Sequence, residues 1–256
     1  MTPHPAITVL EKLPAARPST QVGGSVVNIE QSERELRRQL SRLARWMHRL
    51  GFAPGTSGNL SVRLPYGERY GERCILATPT GCSKGLLRPS DMVVADMEGR
   101  LLSGSRNVTS EIGMHLAIYH ARPDVNAVVH AHPPIATGVA SCGLALDAPL
   151  CAEIVMTLGK IPLAEYATTG TDEVAASLQP FVRDHDAILL SNHGLVTYGK
   201  DLIDAFMKTE VCEHFAKVFL TTQQLGCAKP LGPEAIAKLD LARARYRANI
   251  GPAFTD

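Results

Sequence analysis

The stretch Val125-Asn126-Ala127-Val128-Val129-His130-Ala131-His132-Pro133-Pro134 decides how the rest of the chain is read. A short apolar run stopped by two prolines predicts a buried strand over 125–132, because proline cannot donate to a sheet ladder. Side chains two apart on a strand face the same way, so His130 and His132 point into one space and can pinch one metal ion. Neutral imidazole is a good ligand for zinc and its transition-series neighbours. Alone, a His-x-His pair reads more readily as two core or surface histidines than as a metal site. A third ligand from another strand changes that balance. Ala187-Ile188-Leu189-Leu190-Ser191-Asn192-His193-Gly194 supplies it. Its apolar half suits a second buried strand, His193 stands where that strand ends, and Gly194 permits a sharp turn or close backbone approach. Three imidazoles plus one open position is the pattern of a catalytic metal site rather than a structural one.

Working outward, a helix is predicted over Ser110–Ala121, ended by Pro123. Glu111 falls in its first turn, where the helix dipole favours a negative charge. It is either an acid–base group or a capping carboxylate. His115 shares a helix face with Glu111, and His115 and His120 read as core or hydrogen-bonding histidines. Upstream, Leu60–Leu64, Arg73–Thr78, Met92–Asp96 and Arg100–Ser103 are short strand-like runs spaced for antiparallel hairpins. Before them, Ser32-Glu33-Arg34-Glu35 reads as a capping box that opens a helix. Its stripe is Leu36, Leu40, Leu43, Met47 and Leu50, with Gly51 as a stop. The arginines on its other face read as a solvated face or, in the alternative, an anion- or membrane-binding one. Downstream, helices are expected over 171–183, over Asp201–Leu220 with Ile203, Met207, Val211, Phe215, Val218 and Phe219 on one side, and over 234–248. Helices therefore bracket a mostly antiparallel central sheet, the pattern of a three-layer α/β/α sandwich in the α/β class. Residues 1–29, with Pro3, Pro5, Pro14 and Pro18, read as a flexible N-terminal arm, and 30–256 as a single catalytic domain.

The composition is consistent with that plan. Of 256 residues, 45% are hydrophobic and 20% charged, which suits a chain that buries a real core. A formal net charge of +1 does not point to a nucleic-acid partner. The six cysteines form no Cys-x-x-Cys pair, which leaves a zinc ribbon or thioredoxin motif unsupported. Reduced thiols and a cytoplasmic location are expected. No run approaches the roughly 18 apolar residues of a membrane span, and no signal peptide is legible.

Five short motifs then occur in order: Thr56-Ser57-Gly58-Asn59-Leu60-Ser61, Thr78-Pro79-Thr80-Gly81, Ser110-Glu111, His130-Ala131-His132-Pro133 and Asn192-His193-Gly194. As an ordered set over about residues 32–222 they resemble the class II aldolase/adducin family, which includes fuculose phosphate aldolase and ribulose phosphate 4-epimerase. The resemblance implies zinc on His130, His132 and His193, with Mn2+, Co2+ or Fe2+ as other candidates. It places Glu111 at the family's catalytic acid–base position, where it can also touch the resting metal. Ser57, Gly58, Asn59, Thr80, Gly81, Thr109 and Ser110 would bind the phosphate of a phosphorylated sugar. A homotetramer with active sites at subunit interfaces is implied as well. Hydroxyl donors, glycines and a helix N-terminus are what a phosphate needs, although any one of these runs alone reads as ordinary turn chemistry.

The reaction implied is metal-dependent cleavage of a ketose 1-phosphate to dihydroxyacetone phosphate and an aldehyde through a stabilised enediolate. In it, Glu111 moves the proton on the dihydroxyacetone carbon. One departure stands out. Near Glu153, fuculose phosphate aldolase carries a tyrosine, whereas methylthioribulose phosphate dehydratases carry a catalytic glutamate. Glu153 is either a second catalytic acid or a surface carboxylate. Tyr246 is the candidate for the family's C-terminal tyrosine. The alternatives on the same fold are a sugar-phosphate dehydratase or a decarboxylase. A 4-epimerase fits less well, because its acid–base position reads Asp where this chain has Glu111. A non-haem iron oxygenase and an adducin-like binding domain without activity are further rivals; the second predicts eroded metal ligands.

Overall fold

The computed structural model describes residues 29–65, 70 and 73–249, and the side chains of 32–65, 70 and 73–243. The expected N-terminal arm lies outside the described residues except for Ile29, and so does the side chain of Tyr246. One sheet organises the molecule. Its strands are β1 (Asn59–Arg63), β2 (Cys74–Ala77), β3 (Val93–Asp96), β4 (Leu101–Ser103), β5 (Ala127–Ala131), β6 (Leu163–Ala164), β7 (Ala187–Leu190) and β8 (Gly194–Gly199). They lie in the order β4-β3-β2-β1-β5-β8-β7-β6. Every neighbouring pair is antiparallel except β6 and β7. The mostly antiparallel α/β reading of the sequence is therefore correct.

The helices are α1 (Ile29–Arg49), α2 (Ile112–Ala121), α3 (Pro134–Ser141), α4 (Ala152–Thr157), α5 (Asp172–Leu178), α6 (Leu202–Gln224) and α7 (Pro233–Asn249). Alternation along the strands assigns them to two faces. Ile75, Val128, Ile188, Val196 and Tyr198 pack with α2 and α5. Leu60, Val62, Leu76 and Val129 pack with α1 and the start of α6. Ala187, Leu189 and Leu195 point to that second face as well, under α3, α4 and the rest of α6. The result is a helix–sheet–helix sandwich. Leu40, Leu60, Ile75, Leu76 and Val128 are fully buried, and each such side chain contributes about 1.5–3 kcal/mol of transfer free energy.

Several local expectations are corrected. Helix α1 already includes Ile29, so Ser32 lies inside it and the capping box is not its start. Glu33 instead pairs with Arg37 one turn on, at 2.8 Å. On α6, Met207 is half exposed, while Ala205, Phe206, Thr209 and Cys212 are buried. The buried face is thus rotated from the expected one, because small and polar residues fill it where the helix crosses close to β8. Thr197 on β8 bonds the Ala205 carbonyl and the Thr209 hydroxyl there, at 2.8 and 2.7 Å. Strands β6 and β8 and helices α3 and α4 carried no clear sequence signal.

Candidate metal centre

Strand β5 runs between β1 and β8 and carries His130 on the α2 face, beside Val128. His132 follows immediately after the strand, where its backbone N–H donates to Phe52 O at 2.7 Å. The two Nε2 atoms lie 2.9 Å apart. The third histidine arrives through a tight hairpin. Leu190 pairs with Gly194, so Ser191, Asn192 and His193 form the whole turn between β7 and β8. Asn192 takes a left-handed conformation at φ 53°, which asparagine tolerates better than most residues. Ligand nitrogens of His130, His132 and His193 all lie within 4.8 Å of one another.

Glu111 closes the group. Its Oε2 lies 3.3 Å from His130 Nε2 and its Oε1 3.1 Å from His193 Nε2. It occupies the N-cap position of α2, one step before the first turn expected from the sequence. Asn59, at the start of β1, donates from Nδ2 to Glu111 Oε2 at 2.7 Å. The other end of the same amide, Oδ1, meets His115 Nε2 at 2.5 Å. His115 Nδ1 in turn meets the Ser61 hydroxyl at 2.7 Å, and Ser61 bonds the Tyr119 hydroxyl at 2.8 Å. His115 is thus a buried hydrogen-bonding residue of the α2–sheet core, as its spacing suggests.

Electrostatics set the protonation states. Burial lowers His130 to about 3 and His132 to about 4, which leaves both rings neutral. Burial pulls the Glu111 carboxyl the other way, yet His130, His193 and Asn59 beside it hold it far below the usual carboxylate range. His130 Nδ1 lies 3.0 Å from the Leu195 carbonyl oxygen. A bond there puts the proton on Nδ1 and leaves the Nε2 lone pair facing the cluster. Two neutral ring nitrogens 2.9 Å apart, the His130 lone pair among them turned inward, fit a shared cation. So does Glu111 Oε1, which is buried and makes no well-formed hydrogen bond. A divalent cation suits this donor set of three imidazoles and a carboxylate.

The segments expected to bind phosphate adjoin one another. Gly58 and Gly81 take left-handed conformations at φ 69° and 67°, so their backbone turns sharply. Thr80 N–H donates to Asn107 O at 3.1 Å, and Pro79 bridges Val108, which brings 80–81 beside Thr109 and Ser110. Ser57 Oγ is turned to Pro54 O at 2.7 Å. The Asn59 amide is committed to Glu111 and His115. Glu153 stands exposed in the first turn of α4, and its recorded bond is a backbone one, its carbonyl accepting from Thr157 Oγ1 at 2.7 Å. Within the described residues of this chain it makes no contact with the three histidines.

The sequence reading missed Lys84. It sits in Gly81-Cys82-Ser83-Lys84-Gly85, which looks like a solvated loop, yet it is 1% exposed. Its Nζ donates to Thr56 O and Cys82 O, both at 2.8 Å. Burial lowers it to about 8. Only the tertiary packing of the loop under α1 reveals it.

Residues 38–220 match the family model described as the Class II Aldolase and Adducin N-terminal domain. The chain is 36% identical over 175 residues to an L-fuculose phosphate aldolase of Methanococcus maripaludis (strain C5), covering 68% of this chain and 90% of that protein. It is 36% identical over 191 residues to a 3-oxo-tetronate 4-phosphate decarboxylase of Escherichia coli K12, covering 73% and 86%. A solved L-fuculose 1-phosphate aldolase superposes with a TM-score of 0.73 at 30% identity, covering 83% of this chain and 96% of that one. By its sheet, its motif order and these likenesses, the chain belongs to the class II aldolase and adducin family.

Proposed function

We propose that the protein is a metal-dependent lyase that cleaves a ketose 1-phosphate into dihydroxyacetone phosphate and an aldehyde. The observation that carries this reading is Glu111, whose two carboxylate oxygens face His130 and His193 at 3.3 and 3.1 Å beside the turns at Gly58 and Gly81. His130, His132, His193 and, at rest, Glu111 would hold the cation, with zinc the first candidate. When bound, a divalent cation supplies Lewis-acid stabilisation of the negative charge that develops on the ketose oxygens. Thr80, Gly81, Thr109 and Ser110, together with the backbone at Ser57 and Gly58, would bind and orient the phosphate. In the synthetic direction Glu111, ionised at rest, would remove a proton from C3 of dihydroxyacetone phosphate, the electron pair left on C3 would bond the aldehyde carbon, and the aldehyde oxygen would take a proton from solvent to become the C4 hydroxyl. Cleavage is the reverse: the C4 hydroxyl proton leaves to solvent, C3–C4 breaks, and the proton held by Glu111 passes to C3 to release dihydroxyacetone phosphate. Its position beside both histidines and its anchoring by Asn59 suit that shuttle.

A homotetramer with sites at subunit interfaces is proposed on the same family grounds. Glu153, exposed on α4, would then act in a neighbour's site or not at all. No helix among the described residues is long and apolar enough to cross a membrane. A cytoplasmic location is proposed, and the six free thiols suit a reducing compartment.

One further reading is favoured by a specific observation. The decarboxylase of E. coli is as similar to this chain as the archaeal aldolase, at 36% each. The deciding experiment is a coupled assay on zinc-loaded protein. Ketose 1-phosphates including those of fuculose, rhamnulose and 5-deoxyribulose are scored for chelator-sensitive dihydroxyacetone phosphate release. In parallel, 3-oxo-tetronate 4-phosphate is scored for carbon dioxide. Carbon dioxide release with silence across the ketose panel replaces the aldolase by the decarboxylase.

A further inference from the structure

Lys84 is a buried cation with no direct ion-pair partner among the described residues, the Glu111 carboxylate acting on it only through space. Its Nζ meets the carbonyl oxygens of Thr56 and Cys82, each at 2.8 Å, and among the described residues no carboxylate lies within ion-pair distance of it. An ammonium has three N–H donors, so two are used and one is left over. Taking such a charge out of water is unfavourable unless a partner charge offsets it. The two carbonyls belong to the two turns that carry the left-handed glycines Gly58 and Gly81, whose backbone is proposed above to face the phosphate. The turn at Gly81 is in turn fastened to the 107–110 segment through Thr80 N–H, Asn107 O and the Pro79–Val108 bridge. Lys84 therefore ties the Thr56–Asn59 turn to the Thr80–Cys82 turn from beneath, and it brings a positive charge to their junction.

We infer that Lys84 is a positioning residue for a phosphate dianion: it holds the two turns in register and supplies the fixed positive charge that a phosphorylated substrate neutralises on binding. The inference rests on the sugar-phosphate reading above. Its action is on substrate recognition, with the proton chemistry left to Glu111. Because both donors used by Lys84 go to backbone carbonyls, a neutral side chain of similar reach keeps much of the scaffold while removing the charge.

The test uses full-length, zinc-loaded protein and two variants, Lys84→Met and Lys84→Gln. Inorganic phosphate is titrated calorimetrically into each, and KM and kcat are measured on whichever ketose 1-phosphate the wild type accepts. The expected result is phosphate affinity weakened at least tenfold and KM raised at least tenfold. Metal content should be unchanged and kcat within about threefold of wild type. If Lys84→Met does not fold, Lys84→Gln decides, since its amide can still donate to the carbonyls. Phosphate affinity and KM within twofold of wild type in a folded variant would overturn the inference. If the wild type cleaves no ketose phosphate yet binds phosphate in a Lys84-dependent way, the inference stands and the aldolase reading falls.

Discussion

Gly194 lies against His132 so closely that a Cβ on Gly194 would sit 2.9 Å from His132 Cδ2 and 2.6 Å from the Ala131 carbonyl oxygen. Strand β8 opens at this residue, which pairs with Leu190 of β7, and its next residue, Leu195, pairs with Ala131 of β5. The absence of a side chain is what lets the hairpin bring His193 up to His130 and His132. Gly194→Ala must push the turn away from β5, because backbone oxygen cannot yield as a flexible side chain does. We expect metal affinity to fall at least tenfold, measured by competition with a chromogenic chelator, with the circular dichroism of the fold retained. Unchanged affinity would mean the turn can shift without moving His193.

Glu111→Gln keeps the shape of the side chain and removes its charge. We predict that the variant still binds a stoichiometric metal through the three histidines, while turnover falls by about 10²-fold or more, the usual scale for losing a positioned acid–base group. Wild-type rates in this variant would transfer the proton to another residue, with Glu153 the next to test.

Asn59 spans Glu111 and His115 with the two ends of one amide. Asn59→Ala leaves both buried partners short of a hydrogen bond, which should lower stability by about 1–3 kcal/mol. It also frees the Glu111 carboxylate to rotate, so kcat should fall more than metal affinity does. Urea midpoints together with kcat on the folded variant separate the two effects. A change confined to KM would instead mark Asn59 as a phosphate contact alone.

Glu213 on α6 accepts the backbone N–H groups of Ile135 and Ala136, at 3.0 and 2.8 Å, and so caps the start of α3 just after His132 and its two prolines. Removing it in Glu213→Ala should destabilise the protein by about 1–2 kcal/mol, as for other lost helix caps. Denaturant unfolding measures this, and a variant as stable as wild type would show that water replaces the carboxylate without loss.

Metal-free protein should lose stability in mild acid. Burial lowers His115 from its ordinary value to about 4, and His130 and His132 move in the same direction. The sign follows from linkage: the unfolded chain takes up protons below about pH 6.5, while the folded chain refuses them until about pH 4. Stability is therefore full above pH 6.5 and declines as the pH falls through that window, by roughly 3 kcal/mol for His115 at the full shift. Melting temperatures of chelator-treated protein from pH 7.5 to 4 measure this. A flat profile would mean the rings are not held neutral.

The elements legible in the sequence are those specified by local chemistry. Alternation around His130 and His132 marks β5, proline stops it, and the apolar period of α1 and the Pro123 stop after α2 place those helices to within a few residues. Those signals depend on residues two to four apart along the chain. Strand β8, by contrast, is a short Gly194–Gly199 run whose identity comes from pairing with β5 and β7, partners that lie up to 72 residues away in the chain. The rotated face of α6 follows from how closely it crosses that strand. Lys84 looks like a loop lysine until packing buries it, and the Asn59–His115 bond joins residues 56 apart. The sequence by itself determined the donor types and the α/β layering. Tertiary structure decided which side chains meet Glu111, because a contact across the sheet leaves no period in either strand that makes it.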